Sequence, residues 1–135
     1  MPSTTSLRRL PLALLAVAAL IGAAQAAAPG EQLAGYTRQA GAPADAARGQ
    51  VFFTSRHGRE WSCSSCHGAL PVQAGKHAAT GKPIGALAPA LNAERFTDAA
   101  KTEKWFRRNC NDVVGRECSA GEKADVLAWL MTLQP

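Results

Sequence analysis

The pattern of apolar and polar positions divides the 135-residue chain into one continuous apolar run and several stretches of helical spacing separated by loops. Leu10 to Ile21 is apolar apart from Pro11, with Arg8 and Arg9 before it and Ala24-Gln25-Ala26 after it. The run is too short for a bilayer span, which takes about 20 apolar residues. A basic start, a short apolar middle and a small-x-small end predict a cleaved secretory leader over 1–26. Cleavage after Ala28 is a variant of that reading, and an uncleaved anchor is its alternative. Residues 27–42 are small and polar and read as a loose N-terminal extension, holding one short helix around Leu33 and Tyr36. The working domain is expected over 43–135, opening at Pro43.

Within that domain three helices are predicted. Asp45 to Ser55 is the first, with Ala47, Val51 and Phe52 on one face and Gly49 and Phe53 four apart. Gly49 costs helix stability, so a packing reason is expected for it. Thr97 to Asn109 is the second, capped by Thr97 or Asp98, carrying Trp105 and Phe106, and ending on Arg107 and Arg108 beside the negative helix terminus. Ser119 to Leu133 is the third. Ser119-x-x-Glu122 is a capping box, and Val126, Leu127, Leu130 and Met131 recur at helical spacing before Pro135. Pro71 to Asn92, with Gly75, Gly81, Pro83, Gly85 and Pro89, reads as one long loop. A loop of that length in a small domain is expected to wrap around something. No strand or repeat is predicted, so the fold class is all-α.

Removal of 26 residues from 135 leaves 109, a single small domain with a limited core. The net charge of +5 falls to +3 once Arg8 and Arg9 go, since the leader holds no acid. So small a charge argues against nucleic acid as a partner. No second apolar segment is long enough to span a membrane, and the mature protein is expected to be soluble and periplasmic.

Cys63-Ser64-Ser65-Cys66-His67 carries the chemistry. C-x-x-C alone also serves zinc and thiol redox sites. With histidine in the fifth position it is the attachment signature of a c-type haem. Cys63 and Cys66 can form thioethers with the two vinyl groups of one rigid macrocycle, and His67 then gives its ring nitrogen to the iron as proximal ligand. One covalent haem c is therefore the expected cofactor, and its apolar surface would enlarge the small core.

The other axial position decides the use of the iron. Electron-transfer cytochromes c fill it with methionine from the loop before the last helix. Here the only methionines are Met1, in the leader, and Met131, on the apolar stripe of the final helix, where packing is the simpler role. His57 reads as a surface histidine. His77, in the long loop, is either exposed or a distal ligand. A low-spin electron carrier ligated by His77 or Met131 is thus the alternative function. Lys76 and Lys82 would first have to lose a proton. Cys110 and Cys118 remain after haem attachment and are expected to pair in an oxidising compartment, two free buried thiols being the alternative. On spacing alone Asn109 is a helix C-cap. A peroxidase would need a distal histidine–arginine pair on a helix. None is found, and only Arg107 and Arg108 keep peroxide chemistry open, so gas binding and electron transfer are favoured over catalysis.

The order of helix, haem motif, long loop and two helices resembles class I cytochrome c. In that fold a glycine and an aromatic of the first helix meet an aromatic of the last, and Gly49, Phe53 and Trp129 stand at those places. A more specific likeness runs through Arg95-Phe96-Thr97-Asp98, Glu103 to Asn111, Gly115 to Cys118 and Glu122 to Leu130. Gly41 to Ala46, Thr80-Gly81-Lys82 and Leu87-Ala88-Pro89 extend it. These runs resemble the sphaeroides haem protein family, high-spin oxygen-binding class I cytochromes c. The resemblance implies that Asn109 is the distal ligand to ferric iron and that Cys110 and Cys118 form a disulfide. It implies binding of O2, NO or CO by the reduced protein. It also implies electrons from a partner cytochrome, a dihaem cytochrome c or a membrane cytochrome b. The chain departs from the family between Leu70 and Ala79, where His77 enters.

Overall fold

The computed structural model describes residues 28–135, so the leader expected over 1–26 lies outside the described residues. Five helices and one small hairpin follow in chain order: α1 (Pro29–Ala40), α2 (Ala46–Thr54), α3 (Ser64–His67), β1 (Gly75–Lys76), β2 (Pro83–Ile84), α4 (Ala99–Val113) and α5 (Ala120–Thr132). Short polar side chains start the longer helices where the sequence places them. Asp45 accepts from the Arg48 N–H at 3.0 Å, and Asp98 from the Lys101 N–H at 2.9 Å. At α5, Ser119 and Glu122 close the capping box from both sides. Each cap satisfies a backbone donor that the helix itself leaves open.

α5 is the centre of the molecule. Lys123, Ala124, Asp125, Val126, Leu127, Trp129 and Leu130 are all buried, because α1 covers one flank and α2 the other. The crossing with α2 depends on Gly49. A Cβ built there would sit 1.9 Å from the Asp125 carbonyl oxygen, so only glycine lets the two backbones approach this closely. Phe53, one turn on, stacks at 5.0 Å on Trp129 and is fully buried with Val126 and Leu130. Asp125 fastens the same crossing. It accepts from the Asp45 N–H at 2.6 Å and takes a two-pronged bond from Arg48 at 2.8 and 2.9 Å.

Several expectations need correction. The short helix expected around Leu33 and Tyr36 is present as α1, but the extension over 27–42 is not loose: Tyr36 is buried against Ala124 and Leu127 of α5, and Gln32 is buried against Phe96. The buried face of α2 is Ala46, Gly49 and Phe53 rather than Ala47 and Val51. Val51 is 64% exposed, because Gly49 has to face α5 and this sets the rotation of the helix. Met131 leaves the apolar stripe: it is 37% exposed and its methyl faces Gly30 of α1. The long loop is pinned into a two-residue antiparallel ladder, Gly75 with Ile84 and Lys76 with Pro83. α4 runs past Asn109 to Val113, and the chain turns at Gly115 with φ 81°. Arg107 and Arg108 are therefore not in its last turn.

Two carboxylates set an acid limit: Glu103 ties α4 to α1 and α5, and Glu122 ties the start of α5 to Arg116 of the preceding loop. Burial works against ionised Glu103, but hydrogen bonds from Lys123 and Tyr36 hold it below the usual carboxylate range. Glu122 is held low first by its hydrogen bonds from Arg116. A carboxyl lowered in the folded state stabilises above its unfolded pKa and loses that contribution as pH falls through the folded value. The thermal midpoint is thus expected to be flat above about pH 5 and to fall towards about pH 3, less steeply in Glu122→Gln. A midpoint unchanged over that acid range would contradict these pairings.

Candidate haem attachment site

The segment between α2 and the hairpin is built to present three donors at once. Buried Ser62 organises it: its hydroxyl meets those of Ser64 and Ser65 at 2.7 and 3.1 Å, and its N–H donates to the Ser65 hydroxyl at 3.0 Å. This network folds the next residues into the single turn of α3. Cys63 caps that turn, Cys66 lies in it and His67 ends it, and the His67 N–H donates to the Cys63 carbonyl at 3.1 Å. The motif is thereby compressed so that both thiols and the imidazole leave one short helix.

Behind this turn the packing is tight. Cys63 packs against the core cluster, and the Phe53 ring lies 6.0 Å from the His67 ring. The α2–α5 crossing that seats Phe53 thus also seats His67. On the other side, a Cβ on Gly75 would fall 2.2 Å from the Cys66 carbonyl oxygen. The hairpin backbone is pressed onto α3, and the Ala78 N–H points at the Cys66 sulfur at 3.2 Å. Arg95 secures the loop's far end by donating to the Gly85 and Ala86 carbonyls, both at 2.9 Å. In the sequence Arg95 stands out only as the first residue of Arg95-Phe96-Thr97-Asp98, one of the runs that resemble the family, with no role of its own.

Electrostatics favour a haem over the competing uses of C-x-x-C. Burial pushes the Cys63 thiol up to about 11, so it is not the ready thiolate of a redox dithiol. Burial, aided by the charge of Arg95, pushes His67 down to about 4, which keeps its imidazole neutral and able to donate to iron. Cys63 and Cys66 are both unpaired. Among the described residues no group of three or more His, Cys, Asp or Glu side chains gathers to hold a bare metal ion. Two cysteines free of any disulfide and a neutral imidazole on one turn are the donor set that one covalent haem needs.

The other candidates are scattered. His77 sits in the hairpin, where its Nδ1 accepts from the Thr80 N–H at 3.2 Å. The hairpin backs onto the backbone of His67 itself, so it is poorly placed to serve the opposite axial position. Met131 faces α1, as described. Neither position supports the low-spin alternative. His57 is not simply exposed: it stacks on Phe52 at 4.3 Å and its Nε2 lies 2.8 Å from the Phe52 carbonyl, closing the end of α2. Asn109 is not a C-cap. It lies within α4, one turn beyond Trp105, which is 41% exposed. Among the described residues no hydrogen bond engages its amide, whereas Asn111 gives its amide to the Arg107 carbonyl at 2.8 Å. The structure joins Cys110 to Cys118 through their sulfurs, with Cα atoms 5.7 Å apart.

This helical frame and donor set define a c-type cytochrome with one covalent haem c. Residues 39–130 match the family model described as Domain of unknown function (DUF1924). Cytochrome c-type protein SHP of Cereibacter sphaeroides is 53% identical over 106 residues, 76% of this chain and 81% of that protein. Cytochrome c'' of Methylophilus methylotrophus is 44% identical over 88 residues, 62% of this chain and 61% of that one. The solved structure of oxidised SHP, described as an oxygen binding cytochrome c, has a TM-score of 0.73 and 51% identity, covering 78% of this chain and 96% of that one. The chain belongs to the DUF1924 family and to the family of cytochrome c-type protein SHP. The expected all-α cytochrome c fold and the resemblance to the sphaeroides haem proteins are thereby borne out.

Proposed function

We propose that the protein is an exported, periplasmic monohaem cytochrome that binds O2, NO or CO when reduced and receives its electron from a partner cytochrome, dihaem or membrane-bound. Cys63 and Cys66 hold the haem, His67 is the proximal ligand, and Asn109 is a labile distal ligand in the ferric state. Bound haem c supplies a redox-active iron with one axial position available to a weak ligand. One observation carries the reading: Asn109 stands in the body of α4 with an unengaged amide, next to the half-cystine Cys110. An amide oxygen is a hard, neutral, weak donor that suits ferric iron better than ferrous. With haem bound, reduction would therefore weaken the hold of Asn109, and a diatomic gas could take its place. The Cys110–Cys118 disulfide steadies the backbone beside it and fits the oxidising compartment that haem attachment and the leader imply.

The relatives lend support. Oxidised SHP is described as oxygen-binding, and the solution structure of cytochrome c'' is described in terms of haem-ligand detachment. No helix of the described residues is long and apolar enough to cross a membrane. Absorption spectra of the Asn109→Ala holoprotein test the proposal. The ferric bands should shift relative to wild type, while the reduced proteins should both bind CO rapidly. An unchanged ferric spectrum would remove Asn109 from the iron. A six-coordinate low-spin spectrum of the wild type in both oxidation states would overturn gas binding.

A further inference from the structure

α4 carries Asn109, yet its hold on the core is narrow. Its C-terminal part is tied through Cys110 to Cys118. Its middle is held by Phe106, whose ring meets the edge of Tyr36 at 5.8 Å, and by Glu103. The two oxygens of Glu103 have separate partners. Oε2 accepts from the Tyr36 hydroxyl of α1 at 2.9 Å, and Oε1 accepts from the ammonium of Lys123 on α5. Lys123 is a cation with a side chain only 10% exposed, and it also lies 5.6 Å above the Tyr36 ring. Further along, Gln32 of α1 donates its amide to the carbonyl of Phe96, which has the left-handed φ of 60° just before the α4 cap. Three helices thus converge on one carboxylate, and α1 also holds the segment that leads into α4.

We propose that the Tyr36–Glu103–Lys123 cluster is a positioning device that fixes the rotation of α4 and so the presentation of Asn109. The proposal rests on Asn109 as distal ligand. Apolar packing alone constrains helix rotation loosely, because side chains slide. Directional bonds to a partly buried ion pair do not slide, and breaking one leaves the buried Lys123 charge poorly compensated. Glu103 precedes Asn109 by six residues of the same helix, about 1.7 turns, so a rotation of the rigid helix allowed at one is passed to the other. With side chains reaching about 5.5 Å from the axis, a turn of about 20° moves an amide by roughly 2 Å. A shift of that size separates a ligand from its metal. The device would explain why the first helix, remote from the haem motif in sequence, is built into the core.

The test is imidazole binding to the ferric holoprotein, since imidazole competes with Asn109 for the same position. Tyr36→Phe removes one hydrogen bond and keeps the ring. It should tighten imidazole binding about fivefold, the effect of one net hydrogen bond on the competitor. Glu103→Gln/Lys123→Met, which removes the ion pair without stranding a charge, should do the same or more. Both effects should vanish in an Asn109→Ala background. If Tyr36→Phe and the double variant lower the melting midpoint but leave imidazole affinity unchanged, the cluster is structural only and the proposal fails. The same holds if the effect persists without Asn109. If Asn109→Ala itself leaves imidazole affinity unchanged, the ligand assignment fails first and the positioning role falls with it.

Discussion

Gly49→Ala is expected to destabilise the holoprotein by about 3 kcal/mol, the upper range for overpacking a core. Two effects compete. Alanine is the better helix former by about 1 kcal/mol. Against this, its methyl would lie 1.9 Å from the Asp125 carbonyl oxygen and 2.3 Å from the carbonyl carbon, both backbone atoms that no rotamer change can move. The helices must separate, which strains everything built on their closeness. The Phe53–Trp129 stack, the Asp45 N–H bond to Asp125 and the Arg48–Asp125 pair all span that gap. The melting midpoint should fall by roughly 15 °C for a domain of this size. Because Phe53 also abuts His67, the ferric spectrum should shift together with stability. A loss below about 1 kcal/mol would mean that the crossing adapts freely and does not fix the proximal side.

That crossing was also the most legible part of the sequence. Glycine four residues before phenylalanine, with tryptophan in the last helix, marks a close approach because few other arrangements need a glycine inside a helix. The Ser119–Glu122 box and the start of α4 at Thr97 or Asp98 were equally readable, since a cap acts through atoms two or three residues away, whereas Asp45 was read as the first helical residue and is the cap of α2. The C-x-x-C-H turn belongs to the same local kind. What failed was non-local. α1 has little apolar face of its own beyond Leu33 and Tyr36, and its stability comes from partners 64 and 67 positions away, Phe96 and Glu103. No window of the sequence contains that information. The end of α4 was misjudged for a different reason. Asn109 resembles a C-cap, and the true stop is Gly115, whose N–H and that of Val114 turn back to the Cys110 carbonyl at 3.0 and 2.7 Å. The hairpin was missed because strands of two residues carry no periodicity. Its glycine, Gly75, is fixed by contact with Cys66 rather than by its neighbours.

Replacing Cys110 and Cys118 together by alanine is expected to cost about 2.5 kcal/mol through the unfolded chain, the value for a loop of nine residues. The helix end itself should survive. The turn at Val114 and Gly115 closes on the Cys110 carbonyl through the backbone, and Phe106 and Glu103 still hold the middle of α4. The loss should therefore appear in the unfolding midpoint without loss of helix content by circular dichroism. A second consequence concerns Asn109, which stands one residue before the bridge. With the C-terminal tie gone, only Phe106 and Glu103 restrain its rotation, so if Asn109 is the distal ligand proposed, its hold on ferric iron should weaken and imidazole should bind more tightly. Reduction of the wild-type bridge by dithiothreitol, alkylation of both thiols, removal of the reductant and re-oxidation of the iron with ferricyanide should reproduce both changes, which separates loss of the bond from any effect of the alanines. If the reduced and alanine proteins melt at the wild-type midpoint, the bridge contributes nothing to folding. If the midpoint falls while imidazole affinity stays fixed, then the rotation of α4 is held by the Tyr36–Glu103–Lys123 end and not by the bridge.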